Sequence, residues 1–468
     1  MDAWLNKSGA VGLGDLDLAD FPETGRGVKA QRPFKEGERI LTIPANCLWT
    51  VKGAYADPLF GPVLQSVQPP LSVEDTLALY ILFVRSRVGD PAYAERQSHV
   101  AVLPSEYTLS MFFTEEELRV CAGSSLYTLT TQLRGRVGDD YKKLLTSVFM
   151  RHRDLFPLDK FSFQDYKWAL SSVWSRSMDF AISEGNSVRL VAPFADMLNH
   201  APDAKQCHAY DLSTGGLSVL ACRDYQVGDQ VFIYYGSIAN SRLLRLYGFV
   251  LPGNPIDNYE LVLQTSSMAP LYEQKQRLWK LAGLDEVSTI PLTLKTPLPD
   301  SVLRYLRIQR LDESELGAMT MQIATESYKK ISDENESQIL QFLSESIGAL
   351  LEGFEIPLEK LEVQLAEGLY SPGSNAWAAA HVSLGEQRVL KAAKEKTDVL
   401  LASVADGSAS LPPTKQCANC SRDSEAARLM ACGKCRAVKY CGRECQVAHF
   451  KEHKALCRSL SARKERDI

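Results

Sequence analysis

The sequence predicts an α+β chain built from several units. Three observations predict it. Short β-rich runs flank a long helical stretch without alternating with helices one for one, which argues against a parallel doubly wound sheet. A second helical stretch follows, from about residue 257 to 404. Seven of the eleven cysteines then crowd between Cys417 and Cys457. With 468 residues, the chain is also too long for one ordinary domain.

Taken in order, residues 25–51 read as short strands and turns, with Gly25-Arg26-Gly27 at one end and Glu36-Gly37 marking a hairpin or bulged corner. From Ser72 to about Ala181 apolar residues recur at helical spacing, as in Leu77-x-Leu79-Tyr80-Ile81 and Leu170-x2-Val173-Trp174. Strands return at Val188–Pro193, Ala209–Asp211, Leu217–Cys222 and Gln230–Tyr235, with Gly215-Gly216 and Val227-Gly228-Asp229 as turns. Residues 405–416, small, polar and proline-containing, read as a linker.

Composition excludes several classes. Apolar residues make up 45% and charged residues 23%, with net charge −5, so no global field recruits nucleic acid. The longest clean apolar run, Leu77 to Val84, falls far short of the roughly 18 residues that a membrane span needs. Five acids (Asp2, Asp15, Asp17, Asp20, Glu23) precede Gly25 against the single Lys7, the opposite of a transit peptide. The expected home is cytoplasmic or nuclear. There, clustered cysteines indicate metal rather than disulfides.

The cysteine spacing is specific. Cys417-x2-Cys420, Cys432-x2-Cys435, Cys441-x3-Cys445 and His453-x3-Cys457 supply eight ligands, enough for two closed tetrahedral Zn²⁺ sites of structural type. A module this short builds little core, so metal binding supplies its folding energy. Lys and Arg outnumber Asp and Glu from residue 417 onward, but thiolates bound to zinc remove much of that bias, which argues against direct nucleic-acid binding.

The middle of the chain carries Asp196-Met197-Leu198-Asn199-His200 and, about 35 residues on, Tyr234-Tyr235-Gly236-x3-Asn240-x6-Tyr247-Gly248-Phe249. Read without a family, the first is a polar cluster at a strand end, where a satisfied core histidine is the ordinary explanation. The second is a set of aromatic–glycine pairs that commonly serve packing and turns. Neither segment decides a function by itself.

Together they resemble the SET domain of protein methyltransferases, in the group of the Rubisco large-subunit lysine methyltransferase. Gly25-Arg26-Gly27 is similar to the N-terminal glycine motif of that group. Leu103-Pro104 with Phe113-Thr114-Glu115-Glu116-Glu117-Leu118 resembles its helical insertion, and Ser175-Arg176-Ser177 a further insertion motif. His208-Ala209-Tyr210 extends the match, and Asn254-Pro255-x-Asp257 opens what looks like its helical substrate-binding lobe. The cysteine module resembles the MYND zinc finger, down to Tyr440-Cys441 and Cys445-Gln446-x2-His449-Phe450-x2-His453-Lys454. The resemblance implies the fold class: α+β, with a β-rich SET domain, an all-α C-terminal substrate-binding lobe and a small two-zinc MYND finger. The expected domains are 20–265 (helical insertion about 72–185), 266–404, linker 405–416, finger 417–457 and a charged tail 458–468. Thr24 stands where relatives often carry an acid. The finger follows the lobe, whereas in the SET-and-MYND proteins it interrupts the SET domain. No cysteine lies between Cys222 and Cys417, which excludes a zinc post-SET lid.

The implied activity is S-adenosylmethionine-dependent lysine methylation of a protein. The sulfonium methyl is already activated, so the enzyme need only align an unprotonated nitrogen behind it. Deprotonating a lysine of pKa about 10.4 at neutral pH costs roughly 4–5 kcal/mol, part of which an aromatic, desolvated channel offsets. By resemblance Tyr235 is the catalytic tyrosine. Gly25, Arg26 and Gly27 bring backbone close to the cofactor, Arg176 contacts its charged end, and Asn199 and His200 hold its adenine and amino-acid ends. Asp196 contacts the ligand or braces its turn, Phe249 packs on the cofactor, and Tyr210 and Tyr247 line the substrate channel. In the finger, the family's interleaving pairs Cys417, Cys420, Cys441 and Cys445 on one ion and Cys432, Cys435, His453 and Cys457 on the other, leaving His449 aside. The finger is expected to dock a peptide of a partner protein. Histidine methylation is the close alternative, since one branch of the group modifies that residue. A non-enzymatic SET/MYND adaptor or transcriptional regulator is the other, against which Arg176, Asn199, His200 and Tyr235 together argue. A Rossmann-type methyltransferase is excluded, because Gly9-x2-Gly12-x-Gly14 has neither the spacing nor the preceding strand.

Overall fold

The computed structural model describes residues 1–326, 328–405, 417, 419, 429–432 and 439–450. The expected linker beyond residue 405, the tail 458–468, and Cys420, Cys435, His453 and Cys457 lie outside the described residues. The chain divides into two compact units, one formed by Met1–Ile331 with Gln338–Thr397 and the other containing the finger.

In the first unit, Leu16–Phe21 and Gly25–Ala30 form an antiparallel hairpin, with Phe21 opposite Gly25. Gly25 turns out of the loop at φ +66°, the left-handed region that glycine enters without a Cβ clash. Gln230–Ile233 pairs antiparallel with Gly25–Ala30, and Asn199–His200 pairs parallel with Gln230–Ile233, Phe232 facing Asn199 and Ile233 facing His200. That parallel pair sets the site, because it places Tyr235 just beyond the Asn-His dipeptide. Two further three-stranded sheets complete the β layer. One orders Arg39–Ile43, Leu217–Leu220 and His208–Tyr210, the other Trp49–Thr50, Asn186–Val191 and Ser177–Ser183. Val28, Ile43, Leu198, Leu217, Val231 and Ile233 fill the interior between them.

The helical insertion packs Val73–Ser86 against Phe163–Arg176. Ser72 caps the first through the Asp75 N–H, and a Ser162/Asp165 capping box opens the second. Thr76 to Val84 are buried all round, so the longest apolar run of the sequence is a central helix with Phe60, Phe149, Phe156 and Phe161 about it. The helical reading to about Ala181 needs correcting. The helix stops at Arg176, and Ser177–Ser183 pairs with Asn186–Val191 across a turn in which Gly185 takes φ +74°. Arg176 therefore sits at a helix-to-strand junction.

The C-terminal lobe is helical, including Tyr272–Leu281, Asp300–Gln309, Leu358–Ala366 and Asn375–Ala405. One ribbon departs from the all-α expectation. Asn258–Gln264 and Val287–Thr293 pair over seven positions, burying Tyr259, Leu261 and Leu263 with Ile290 and Leu292. Leu244 and Val250 meet Phe113, Leu118 and Leu126 of the insertion and Ala378, Ala379 and Val382 of the lobe in one apolar cluster. Among the described residues no helix is long and apolar enough to cross a membrane.

In the finger, Met430–Ala431 pairs with Lys439–Tyr440, and Arg443–Ala448 is helical. Cys417, Cys432 and Tyr440 are buried there.

Candidate functional site

A cavity of about 340 Å³ opens at the C-terminal end of the parallel strand pair. Arg176, Met178, Asp196, His208, Tyr235 and Tyr247 are among its lining. The ring of Tyr235 is held on both sides: it stacks on His200 (centroids 5.2 Å apart) and on Tyr247 (5.1 Å). Its hydroxyl donates to the Leu198 carbonyl at 2.8 Å, and its backbone N–H donates to His200 Nδ1 at 3.2 Å. Burial raises the Tyr235 phenol well above its ordinary pKa, so it keeps its proton at neutral pH. Burial also lowers the His200 pKa, in keeping with a neutral ring that accepts this bond.

Asn199 is a tie rather than a lining residue. Its Nδ2 donates to the carbonyls of Thr24 (3.3 Å) and Arg26 (3.1 Å), joining the Asn-His strand to the first hairpin. The two glycines there differ. A Cβ at Gly27 would come within 2.4 Å of Gln230 Nε2 and 2.9 Å of Asn199 Nδ2, so any larger residue there must displace those two side-chain ends, including the Asn199 tie. A Cβ at Gly25 would meet nothing within 4 Å, leaving that backbone open for approach. The Arg26 guanidinium is occupied by the Val102 carbonyl and lies 3.6 Å from Met197 Sδ.

Arg176 and Asp196 form the charged floor. Arg176 Nη1 donates to the Asp196 carbonyl at 2.9 Å and lies 3.6 Å from its Oδ2, while the buried Arg176 Nε has no protein partner. Burial would lower the Arg176 pKa, but Asp196 and then Tyr107 outweigh it and raise it. Asp196 is fully enclosed. Burial would push its carboxyl up, yet His99, with Arg176 and Arg26, holds it below the ordinary range. Its Oδ2 is 3.0 Å from His99 Nε2, and its Oδ1 is buried without a partner. Arg176 lines the cavity with its charge backed by Asp196, an arrangement that suits the carboxylate of a ligand head.

The remaining expected residues lie further out. Phe249 is 6.4 Å from both His200 and Tyr247, centroid to centroid, behind the Tyr235 stack. Tyr210 stacks on Phe180 (6.1 Å) and is absent from the cavity lining; His208, two residues earlier, takes that place and meets Phe180 edge-on. His208 Nδ1 is buried without a partner, and burial pushes its pKa down to about 4. From the sequence no site role was assigned to His99 or Met178, nor to His208 beyond its place in the His208-Ala209-Tyr210 motif. For His208 a usable signal existed, since residues i and i+2 of a strand share a face with Tyr210. His99, about 100 residues from Asp196, left none.

In the finger, Sγ atoms of Cys417, Cys441 and Cys445 lie within 4.8 Å of one another, a spacing that a tetrahedral thiolate site accommodates at Zn–S of about 2.3 Å. The Tyr440 hydroxyl is 3.1 Å from His449 Nδ1.

Family comparison agrees with this geometry. Residues 25–236 match the SET domain family, 266–390 the Rubisco LSMT substrate-binding family, and 417–457 the MYND finger. The chain carries a SET domain, a Rubisco LSMT substrate-binding domain and a MYND finger. Actin-histidine N-methyltransferase of Rattus norvegicus is 28% identical over 405 residues, covering 83% of this chain and 66% of that protein. The Homo sapiens enzyme of the same name is 28% identical over 415 residues, 85% of this chain and 67% of that protein. This SET-domain protein thus spans about two thirds of the length of these curated relatives. The solved structure of Rubisco LSMT bound to AdoMet superposes with a TM-score of 0.73 at 22% identity, covering 86% of this chain and 92% of that one. The SET domain of LSMT bound to lysine and AdoHcy gives 0.73 at 22%, covering 86% and 91%.

Proposed function

We propose that this SET-domain protein is an S-adenosylmethionine-dependent protein N-methyltransferase whose acceptor is a histidine side chain. The observation that carries the reading is the charged floor beside Tyr235: the Arg176 guanidinium lines the cavity, backed by the buried Asp196, and matches the carboxylate of the donor's amino-acid end. The activated methyl is the one thing the donor supplies. The chain's own residues then have three tasks. Arg176, held by Asp196, binds the donor's carboxylate; the Gly25 backbone and the Asn199 tie shape the wall near the hairpin; and the stacked Tyr235, its phenol protonated, presents a fixed polar edge that aligns the acceptor nitrogen. Phe249 acts in this reading by packing against Tyr247 and His200, the two rings that stack on Tyr235.

Histidine as acceptor is supported by the 28% likeness to actin-histidine N-methyltransferases over most of the chain, and by the shortage of proton acceptors in the cavity. Asp196 is engaged by His99, Asp179 is held bidentately by Arg189, and His208, pushed down to about 4, is a weak base. A neutral imidazole, with an ordinary pKa near 6.5, needs no deprotonation at pH 7, whereas a lysine does. Lysine is the second reading, favoured by the apolar Met178 and Ile238 in the lining, which suit an aliphatic stem. The MYND finger, in this account, holds two structural zinc ions, one on Cys417, Cys420, Cys441 and Cys445 and one on Cys432, Cys435, His453 and Cys457, and recruits a partner peptide.

The test is transfer of radiolabelled methyl from S-adenosylmethionine by the full chain to a proteome kept free of endogenous label, followed by mass spectrometry of the modified peptides. Methyl-histidine supports the leading reading and methyl-lysine the second. No labelled protein, from an enzyme shown to be folded and zinc-loaded, refutes both.

A further inference from the structure

Asp196 is the least accessible charge in the site, and what holds it comes from two distant segments. The Trp49 indole N–H, on the strand Trp49–Thr50, donates to His99 Nδ1 at 3.0 Å. Indole is a donor only, so Nδ1 must be the accepting nitrogen of that ring and the proton sits on Nε2. Nε2 lies 3.0 Å from Asp196 Oδ2, and its N–H therefore points at the carboxylate. Both the His99 and Asp196 side chains are fully buried, at 0% exposure. Phe194, two residues before Asp196, takes φ 71°, a left-handed conformation that a bulky residue adopts at a cost and that a surrounding structure must enforce. The chain from Trp49 to His99 to Asp196 ends at Arg176, 3.6 Å from Oδ2. One carboxylate oxygen is thus fixed by histidine and faces Arg176, whose partly exposed side chain lines the cavity, while Oδ1 is buried without a protein partner.

We propose that His99, its tautomer set by Trp49, is a positioning residue for the methyl donor: it orients Asp196 so that this carboxylate holds the Arg176 guanidinium, which receives the carboxylate of the donor's amino-acid head. The inference rests on the proposed methyltransferase reading and deepens it at one end of the site. The imidazole acts only through Asp196 and never meets the donor. It also separates the two ends of the ligand, since the adenosine portion owes nothing to His99.

That separation supplies the test. S-adenosylhomocysteine carries the amino-acid head; 5′-methylthioadenosine lacks it. Binding of both to the full chain is measured by calorimetry for wild type, His99→Phe, His99→Gln and Trp49→Phe. Removing a hydrogen bond to a charged group weakens an interaction by about tenfold or more. His99→Phe is expected to lose at least that factor for S-adenosylhomocysteine while its affinity for 5′-methylthioadenosine stays within about twofold of wild type. Glutamine spaces an acceptor oxygen and a donor nitrogen much as imidazole does, so His99→Gln is expected to recover most of the loss. Trp49→Phe, two steps from the cavity, is expected to show a smaller loss of the same pattern, and it carries the test if His99→Phe does not fold. Parallel loss of both ligands, or equal loss in the Phe and Gln variants, makes the contact merely structural and overturns the proposal. Unchanged S-adenosylhomocysteine affinity in His99→Phe overturns it while leaving the methyltransferase reading intact. Failure of wild type to bind either nucleoside overturns the proposal together with that reading, and the two failures are thereby distinguished.

Discussion

Glu386 of the lobe is fully buried at the start of the helix Ser125–Leu144, where its two oxygens accept the Ser125 N–H (2.7 Å) and the Ser125 hydroxyl. A carboxylate at a helix N-terminus is ordinarily favoured. Here burial dominates, with Asp257 and Glu260 adding like charge, and the pKa is pushed up to about 7 from 4.5. The folded state therefore holds this proton to higher pH than the unfolded chain does. Stability from this group is greatest below 4.5, declines as pH rises toward 7, and is flat above. Linkage between those two values gives a loss of about 2–3 kcal/mol from pH 5 to pH 8. Glu386→Gln removes the titration. It also sets an amide N–H against the Ser125 N–H, a penalty that does not vary with pH. The readout is urea unfolding of both proteins at pH 5, 6, 7 and 8, followed by tryptophan fluorescence. The stability of the variant relative to wild type should rise by about 2–3 kcal/mol across the range. A difference that stays flat would refute the argument that burial, and not the Ser125 donors, sets the protonation of Glu386.

Tyr235→Phe keeps the ring stack and removes the hydroxyl; turnover should fall by a factor on the order of 10² or more, with S-adenosylhomocysteine affinity within about threefold of wild type. An equal loss of both would make the tyrosine a packing residue. Gly27→Ala drives a Cβ into Gln230 and Asn199; we expect a loss of about 1–3 kcal/mol in stability and weaker donor binding, and an unaltered melting profile would contradict the crowding. In elemental analysis wild type should carry two zinc ions and Cys441→Ser with Cys445→Ser one, while thermal unfolding of the catalytic unit stays unchanged; loss of both ions would contradict the assigned pairing.

Much of this architecture was legible because its signals are local. The four strands expected between residues 188 and 235 form within a residue or two of their expected starts, for alternating apolar residues and glycine turns carry that information in a few positions. The helix-to-strand change at Arg176 was missed although Met178, Phe180 and Ile182 alternate at strand period, because the helical spacing up to Trp174 runs straight into them and the switch is completed only by pairing with Asn186–Val191. The ribbon Asn258–Gln264 with Val287–Thr293 depends on pairing across some twenty residues of intervening chain, including a helix. In the site, the motif residues Asn199, His200 and Tyr235 stand out in sequence, yet two of them act by bonding other protein groups. The residue that holds Asp196, His99, enters from the insertion, and only the folded chain brings it there.

The central claim is that the Arg176–Asp196 floor beside Tyr235 is a methyl-donor site. Calorimetric titration of S-adenosylhomocysteine into the folded, zinc-loaded full chain tests it most directly, with Arg176→Ala alongside. The account predicts micromolar binding to wild type that Arg176→Ala abolishes. Absence of binding to wild type, or binding indifferent to Arg176→Ala, would contradict it.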